Sequence, residues 1–346
     1  MKKIVTLLLV LLIAFVAYTL VSTGFFRNIE TPSTHPILAR IALKGAEDLV
    51  LDSKETFAII SATDRSSYPP QKKETGGLYF LDLKDPTFTP HLLTQNINFD
   101  FAPHGIDLIQ LTDSSYQILA INHINKQHSI EKFVLKNKAL EHIETLRHPS
   151  MIQPNDLVQT EKDAFYFTND HGYTKGIGKL IEEYGGLAVS NVVYAKGTDY
   201  REVASGIAYA NGIAYDPQRM LVFVASPRHF SVKVYQRQIE GSLTHIEDID
   251  CHTGVDNLTL DNTGKIWIGA HPNLLRFASY SQGKHKLAPS EIITITYSKK
   301  GQYTVESVWV DNGENMSGAT VAVPYKDGIL TGNVMDNHFL ILERKK

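Results

Sequence analysis

An all-β fold, a six-bladed β-propeller, is predicted by three features of the 346-residue sequence. A short unit recurs six times. Apolar strand-like runs alternate with Gly, Pro, Asn and Asp. Helical tracts built from Ala, Glu, Lys and Leu are missing from most of the chain. The units open at Glu47 (EDLV), His104 (HGID), Asn155 (NDLV), Asn211 (NGIA), Asp256-Asn257 (DNLT) and Ser317 (SGATV). Counted through Asn257, they are 57, 51, 56, 46 and 60 residues apart. A repeat of about 40–50 residues is one four-stranded blade, and stacking neighbouring copies buries what a single copy cannot.

The elements follow in chain order. Lys2-Lys3 precede an uncharged run from Ile4 to Phe26, and roughly 20 apolar residues suffice to span a bilayer as a helix. Residues 1–30 therefore read as a membrane anchor, or as a signal segment cleaved near Ser22-Thr23-Gly24. Positive charge ahead of the run sets the body on the non-cytoplasmic side, periplasmic or extracellular. Residues 31–346 form one propeller domain. Outer strands are expected at LYFLDL (78–83), HSIEKFVL (128–135), LAVSNVVYA (187–195), VKVYQRQI (232–239), LLRFASY (274–280) and FLILE (339–343). One helical pattern stands between His171 and Gly185, where Ile177, Leu180, Ile181 and Tyr184 make a 3–4 spaced stripe. It fits either a lid turned to membrane or lipophilic ligand, or an insertion helix packed on the blades. The loop 64–77, rich in Pro, Gly and charge, is long enough to be a functional cover. Cys251 is the single cysteine, so there is no internal disulfide; a buried, inert thiol suits it better than a nucleophile. A formal charge of -3 provides no basic face for nucleic acid.

The first strand of a propeller blade lines the channel, so the residues that open the units converge on one mouth. Glu47, Asp48, His104, Asn155, Asp156, Asn211, Asp256 and Asn257 come from five units. Singly, each Asx is a turn residue. Together they are carboxylates and amides that are costly to bury without a partner, and a hard cation resolves that cost, since calcium takes about 6–8 oxygen ligands. No Cys/His set has zinc spacing. Glu47 and Asp256 with Asn155, Asn211 and Asn257 balance one Ca²⁺, while Asp48 and Asp156, with the carbonyl of Ile106, suit a deeper one. His104 and His123 reach the same mouth and can exchange protons near neutral pH. His171 and His271 sit at comparable strand ends and read as structural or supporting groups, with Asp170 orienting one of them.

At these residues the chain resembles the paraoxonase/arylesterase family, calcium-dependent lactonases with six-bladed propellers. The matching stretches are GAEDLV (45–50), APHGIDL (102–108), PNDLV (154–158), YFTNDHGY (166–173), ANGIAYDP (210–217) and VDNLTLDNTGKIWIGAHPN (255–273). The resemblance runs from about Ala39 to Glu343. It implies a catalytic calcium on Glu47, Asn155, Asn211, Asp256 and Asn257, and a structural calcium on Asp48, Ile106 and Asp156. It implies His104 as the group that activates water and His123 as its proton-shuttling partner. It also implies a retained hydrophobic N-terminus and a helix near the mouth. The expected reaction is hydrolysis of a lipophilic lactone or an aryl or carboxylic ester. A gluconolactonase-like sugar lactonase, or a non-catalytic calcium-stabilised propeller that binds a ligand, are the alternatives. Mammalian members close the ring with a disulfide; Cys251 has no partner, so closure is expected from the EDLVLD region pairing with FLILE.

Overall fold

The computed structural model describes residues 1–29, 32–65, 75–124 and 127–344; most of the loop 64–77 lies outside the described residues. The chain begins with helix α1 (Lys2–Ser22) and strand β1 (Ile37–Ala42), then builds six four-stranded antiparallel sheets. Blade one holds β2 (Ala46–Leu51), β3 (Phe57–Thr63), β4 (Gly76–Asp82) and β5 (His91–Leu92). Blade two holds β6 (Pro103–Thr112), β7 (Ser115–Ile124), β8 (Gln127–Lys136) and β9 (Ala139–Leu146). Blade three holds β10 (Pro154–Glu161), β11 (Ala164–Asn169), β12 (Ser190–Lys196) and β13 (Asp199–Ile207), with helix α2 (Gly176–Gly185) inserted before β12. Blade four holds β14 (Ile213–Asp216), β15 (Leu221–Ser226), β16 (Ser231–Arg237) and β17 (Leu243–Asp250). Blade five holds β18 (Gly254–Leu260), β19 (Ile266–His271), helix α3 (Leu274–Ser281), β20 (Ser290–Lys299) and β21 (Gln302–Asp311). Blade six takes β22 (Ala319–Tyr325), β23 (Gly328–Asn333) and β24 (His338–Glu343), and β1 completes it.

The core is six wedges between blades rather than one central cluster. Phe57, Ile59 and Leu78 of blade one meet Ile106, Ile118 and Phe133 of blade two, and equivalent clusters fill the other five interfaces. Second strands are therefore covered on both faces: every residue of β3, β11, β15 and β19 is buried. Each blade's buried apolar side chains thus pack against the next blade.

The innermost strands of blades one, two, three and five contain their predicted openings, and those of blades four and six begin two residues after Asn211 and Ser317. The runs expected as outer strands are the third strands of their blades, with the mostly exposed β9 and β13 beyond them. LLRFASY is the exception: it forms α3, because Asn273 accepts a hydrogen bond from Arg276 N at 2.9 Å and caps a helix there. The ring closes through β1, whose Ile37–Ala42 pairs antiparallel with β24; EDLVLD is instead the channel strand β2. Of the two readings of α2, packing of its stripe on the blades is not what the structure has. Ile177, Leu180 and Ile181 face outward, Ile177 at 77% exposure, and Tyr184 is exposed at the edge of a pocket. α1 is long and apolar enough to cross a membrane, with a mean hydropathy of 2.9. Its end joins α2 where Thr19 Oγ1 donates to Tyr184 O at 3.0 Å.

Candidate active site and metal centre

The channel mouth is built by interruptions in the innermost strands. In four blades the ladder between first and second strand slips at the candidate residues: between Ala46 and Asp48, Pro103 and Ile106, Pro154 and Leu157, and Val255 and Leu258. Such a bulge inserts an unpaired residue and re-aims its side chain. Asp256-Asn257 is thus a bulge inside a strand, not the turn before one. Two glycines let neighbouring blades approach closely at this level. A Cβ on Gly105 would lie 2.6 Å from Asn155 O, and one on Gly212 2.6 Å from the Asn257 Cα. Hydroxyls then stitch blade to blade, as Thr320 Oγ1 donates to Glu47 O at 2.6 Å and Thr168 Oγ1 to Asn211 O at 2.7 Å.

The outer oxygens converge. Asn257 Nδ2 donates to Glu47 Oε1 at 3.1 Å, Asn155 Nδ2 to Asp170 Oδ2 at 3.2 Å, and His271 Nε2 donates to Asp256 Oδ2 at 2.8 Å. Among the buried oxygens without a hydrogen-bond partner are four of the predicted ligand atoms: Glu47 Oε2, Asn155 Oδ1, Asn211 Oδ1 and Asn257 Oδ1. An orphaned buried acceptor costs about 1–3 kcal/mol, and here four share one mouth. Among the described residues no three His, Cys, Asp or Glu side chains form a metal cluster by themselves. The donors here are mainly amide oxygens around a carboxylate, a set that fits a hard cation and not zinc.

One residue deeper, the arrangement differs. Asp48 Oδ2 accepts from Ile106 N at 2.8 Å and its Oδ1 from Leu49 N at 2.9 Å. Asp156 Oδ2 accepts from Ile213 N at 2.8 Å and its Oδ1 from Leu157 N at 2.7 Å. Each carboxylate therefore ties its own strand to the next blade. Burial pushes both acids well above the usual carboxylate range. The charges of Asp156 and Glu47 add to this at Asp48, and those of Glu47 and Asp107 at Asp156.

His104 stands 3.8 Å from Glu47 Oε2, and its Nδ1 lies 3.1 Å from Arg65 Nη2. The His104 and His123 rings meet edge to face, 5.1 Å between centroids. His123 Nδ1 and His128 Nδ1 share a hydrogen bond of 2.8 Å. Burial, and then the nearby His104, His128 and Arg65, hold His123 well below the ordinary histidine range and so neutral. Sequence reasoning passed over His128; the usable signal was that His123 and His128 flank one hairpin and are direct cross-strand partners. His171 and His271 are 3% and 2% exposed and line the pocket. His171 Nδ1 donates to Asp170 Oδ1 at 2.6 Å; burial opposes its charge, but the Asp170 contact raises it overall. His171 Nε2 and His271 Nδ1 are without hydrogen-bond partners. Cys251 is buried and free, and burial pushes its thiol up, which leaves it unreactive.

A pocket of about 310 Å³ runs from Asn211 and His271 outward to Tyr184, Leu274, Leu275 and Phe277. Tyr209, also on its wall, has φ +65°, a strained conformation for an aromatic residue of the kind that gathers at functional sites. The other end of the channel opens separately between Asp52, Asp107 and Asp261. Burial pushes Asp107 up to about 6, and Gln159 N donates to it at 2.7 Å. Among the described residues, that mouth is lined by neither the histidines nor the orphaned oxygens.

The family model described as arylesterase matches residues 62–341. The chain belongs to the arylesterase family. It is 34% identical to serum paraoxonase/arylesterase 1 of Homo sapiens over 75% of this chain and 74% of that one. It is 32% identical to serum paraoxonase/arylesterase 2 of Gallus gallus, covering 78% and 76%. Membership makes the chain a hydrolase of carboxylic ester bonds, within a lactonase and esterase family. Two solved structures share the fold alone. One is a PQQ-bound aldose sugar dehydrogenase from Streptomyces coelicolor, with a TM-score of 0.54, 11% identity and coverage of 92% and 99%. The other is a calcium-binding regucalcin from Agrobacterium tumefaciens, with a TM-score of 0.50, 12% identity and coverage of 90% and 95%.

Proposed function

We propose that this arylesterase-family chain is a calcium-dependent lactonase and aryl esterase acting on lipophilic substrates, with residues 1–30 as its anchor and 31–346 as its hydrolase domain. The observation that carries the reading is the ring of partnerless buried oxygens on Glu47, Asn155, Asn211 and Asn257. With Asp256 they would hold one Ca²⁺; Asp48, Asp156 and the carbonyl of Ile106 would hold a second, structural one. Bound there, calcium supplies the positive charge that polarises an ester carbonyl and stabilises the oxyanion formed on attack.

The chain's own groups do the rest. His104, at the mouth and partly exposed, takes the proton of the attacking water on Nδ1, the lone-pair nitrogen, once the water replaces Arg65 there, and His123, neutral and adjacent, receives it next. The proton returns to the leaving alkoxide, and the product is an acid and an alcohol, joined in one molecule when the substrate is a lactone. Leu274, Leu275, Phe277 and Tyr184 provide the apolar wall for an acyl chain. The outward stripe of α2 beside α1 supports docking of this mouth on a membrane, where lipophilic substrates concentrate. The body then lies on the non-cytoplasmic side.

The test is a panel of lactones and aryl esters of increasing acyl length, with one polar sugar lactone, each assayed with calcium and with chelator. Calcium-dependent turnover that favours the apolar lactones is expected. Equal rates after chelation would remove the metal from the reading, and a preference for the sugar lactone would replace the substrate class.

A further inference from the structure

Arg228 lies between β15 and β16 on the rim of the same pocket, and only 6% of it is exposed. Buried arginines are rare unless paired, and this one hydrogen-bonds main-chain carbonyls and the Ser22 hydroxyl. Its guanidinium spreads over three main-chain carbonyls. Nε donates to Glu183 O at 2.8 Å, Nη1 to Ser22 O at 3.1 Å and Nη2 to Tyr184 O at 3.0 Å. Ser22 is the last residue of α1, and Glu183 and Tyr184 lie in the last turn of α2. Final-turn carbonyls have no partner within their helix and carry the negative end of its dipole. One cation therefore caps two helices at once, and neither helix has a basic residue of its own in its last turn.

The chain after Ser22 is held by the same surroundings. Thr23 is 1% exposed and lines the pocket, and its carbonyl accepts from Leu274 N at 2.9 Å. Gly24 takes φ +66°, where a side chain would run into Pro272 O. Phe25 O accepts from Asn273 Nδ2 at 3.1 Å, and Arg27 pairs with Glu291 at 2.7 Å. The same stretch thus touches both α3 and blade five.

We propose that Arg228 is a positioning residue for substrate binding: by capping α1 and α2 together it makes the end of the N-terminal helix a wall of the pocket and sets its grip on the acyl chain. This rests on the reading of that pocket as the substrate site. Substrates whose acyl chains reach Thr23 and Tyr184 depend on the clamp, and short ones that stay near the axis do not.

The experiment uses the full-length protein in detergent, with R228M and R228K measured against esters of short and long acyl chain. Hydrogen exchange at residues 20–27 and 176–186 is followed in parallel. R228M is expected to raise KM for the long-chain ester roughly tenfold and speed exchange in both segments, with kcat for phenyl acetate changed less than about threefold. R228K keeps the charge but loses the planar fork, so it should fall between them; it also serves if R228M fails to fold. Faster exchange with an unchanged KM ratio between long and short esters would overturn the proposal, leaving Arg228 merely structural. Unchanged exchange in both variants would overturn the clamp itself. A wild-type protein that hydrolyses no ester or lactone would instead remove the reading of the site, and the inference with it.

Discussion

Glu47 and Asp48 are neighbours, as are Asn155 and Asp156, yet the two members of each pair live in different electrostatic worlds. The outer layer, Glu47, Asn155, Asn211 and Asn257, leaves buried oxygens with nothing to accept. The inner layer, Asp48 and Asp156, accepts two backbone amides apiece and ties adjacent blades. Successive strand residues point to opposite sides, and the bulges turn that alternation into two depths on one axis. The difference separates poise from cohesion: the outer layer is arranged for something that arrives, and the inner layer already holds the ring together.

The strongest way to break this contrast is to remove one member of each layer. Asn211→Ala is expected to lower kcat/KM by about 10²-fold or more, the scale of a lost group that supports an oxyanion. Its unfolding free energy without calcium should move by less than about 1 kcal/mol, since the oxygen lost had no partner. Asp156→Ala leaves the Leu157 and Ile213 amides without an acceptor, at about 1–3 kcal/mol each. Urea unfolding should therefore show a loss of roughly 2–6 kcal/mol. If the alanine at Asn211 cost more stability than the one at Asp156, the two-layer distinction would be wrong.

A smaller effect sharpens the comparison through pH. An unfolded Asp titrates near 3.9, while burial first, and then neighbouring negative charge, raise Asp48 and Asp156 in the fold. Above about pH 4 the metal-free folded state binds more protons than the unfolded chain, so its stability falls as pH rises toward neutrality. The chelated protein should melt at higher temperature at pH 5 than at pH 7.5, and calcium should protect most at the higher pH. A chelated protein that is more stable at pH 7.5 would contradict the raised pair.

The smallest effect is assigned to His128, outside both layers. His128→Asn removes the partner of His123 Nδ1 and should lower kcat roughly fivefold, below the ~10²-fold that a direct general base supplies. The alkaline and acid limbs of the pH–rate profile should shift with it. An unchanged profile would leave His123 working without this neighbour.

Much of the fold was legible because blade periodicity is a one-dimensional signal: six openings, six channel strands. The mostly exposed fourth strands and β1 were missed, since edge strands in contact with water need no apolar alternation. LLRFASY has enough apolar residues for a strand, and only the Asn273 cap turns it into a helix. Asp256-Asn257 reads as a turn because Asx pairs usually are; a bulge exists only relative to a partner strand, which the local sequence does not contain. His128 and Arg228 were missed for a related reason. Their partners lie across a hairpin or, for Arg228, about 45 and 206 residues away in the chain.

The sequence by itself determined that this chain repeats six times, that its polar residues recur at the start of each unit, and that its N-terminus is apolar enough for a bilayer. Those are properties of order and spacing, which the chain carries whether folded or not. Only the tertiary structure decided which oxygens go without partners, which carboxylates bridge blades, that His123 reaches His128, and that one guanidinium closes two helices onto the pocket. Desolvation and hydrogen bonding depend on what surrounds an atom, and in a closed ring the surroundings of each blade are supplied by its neighbours.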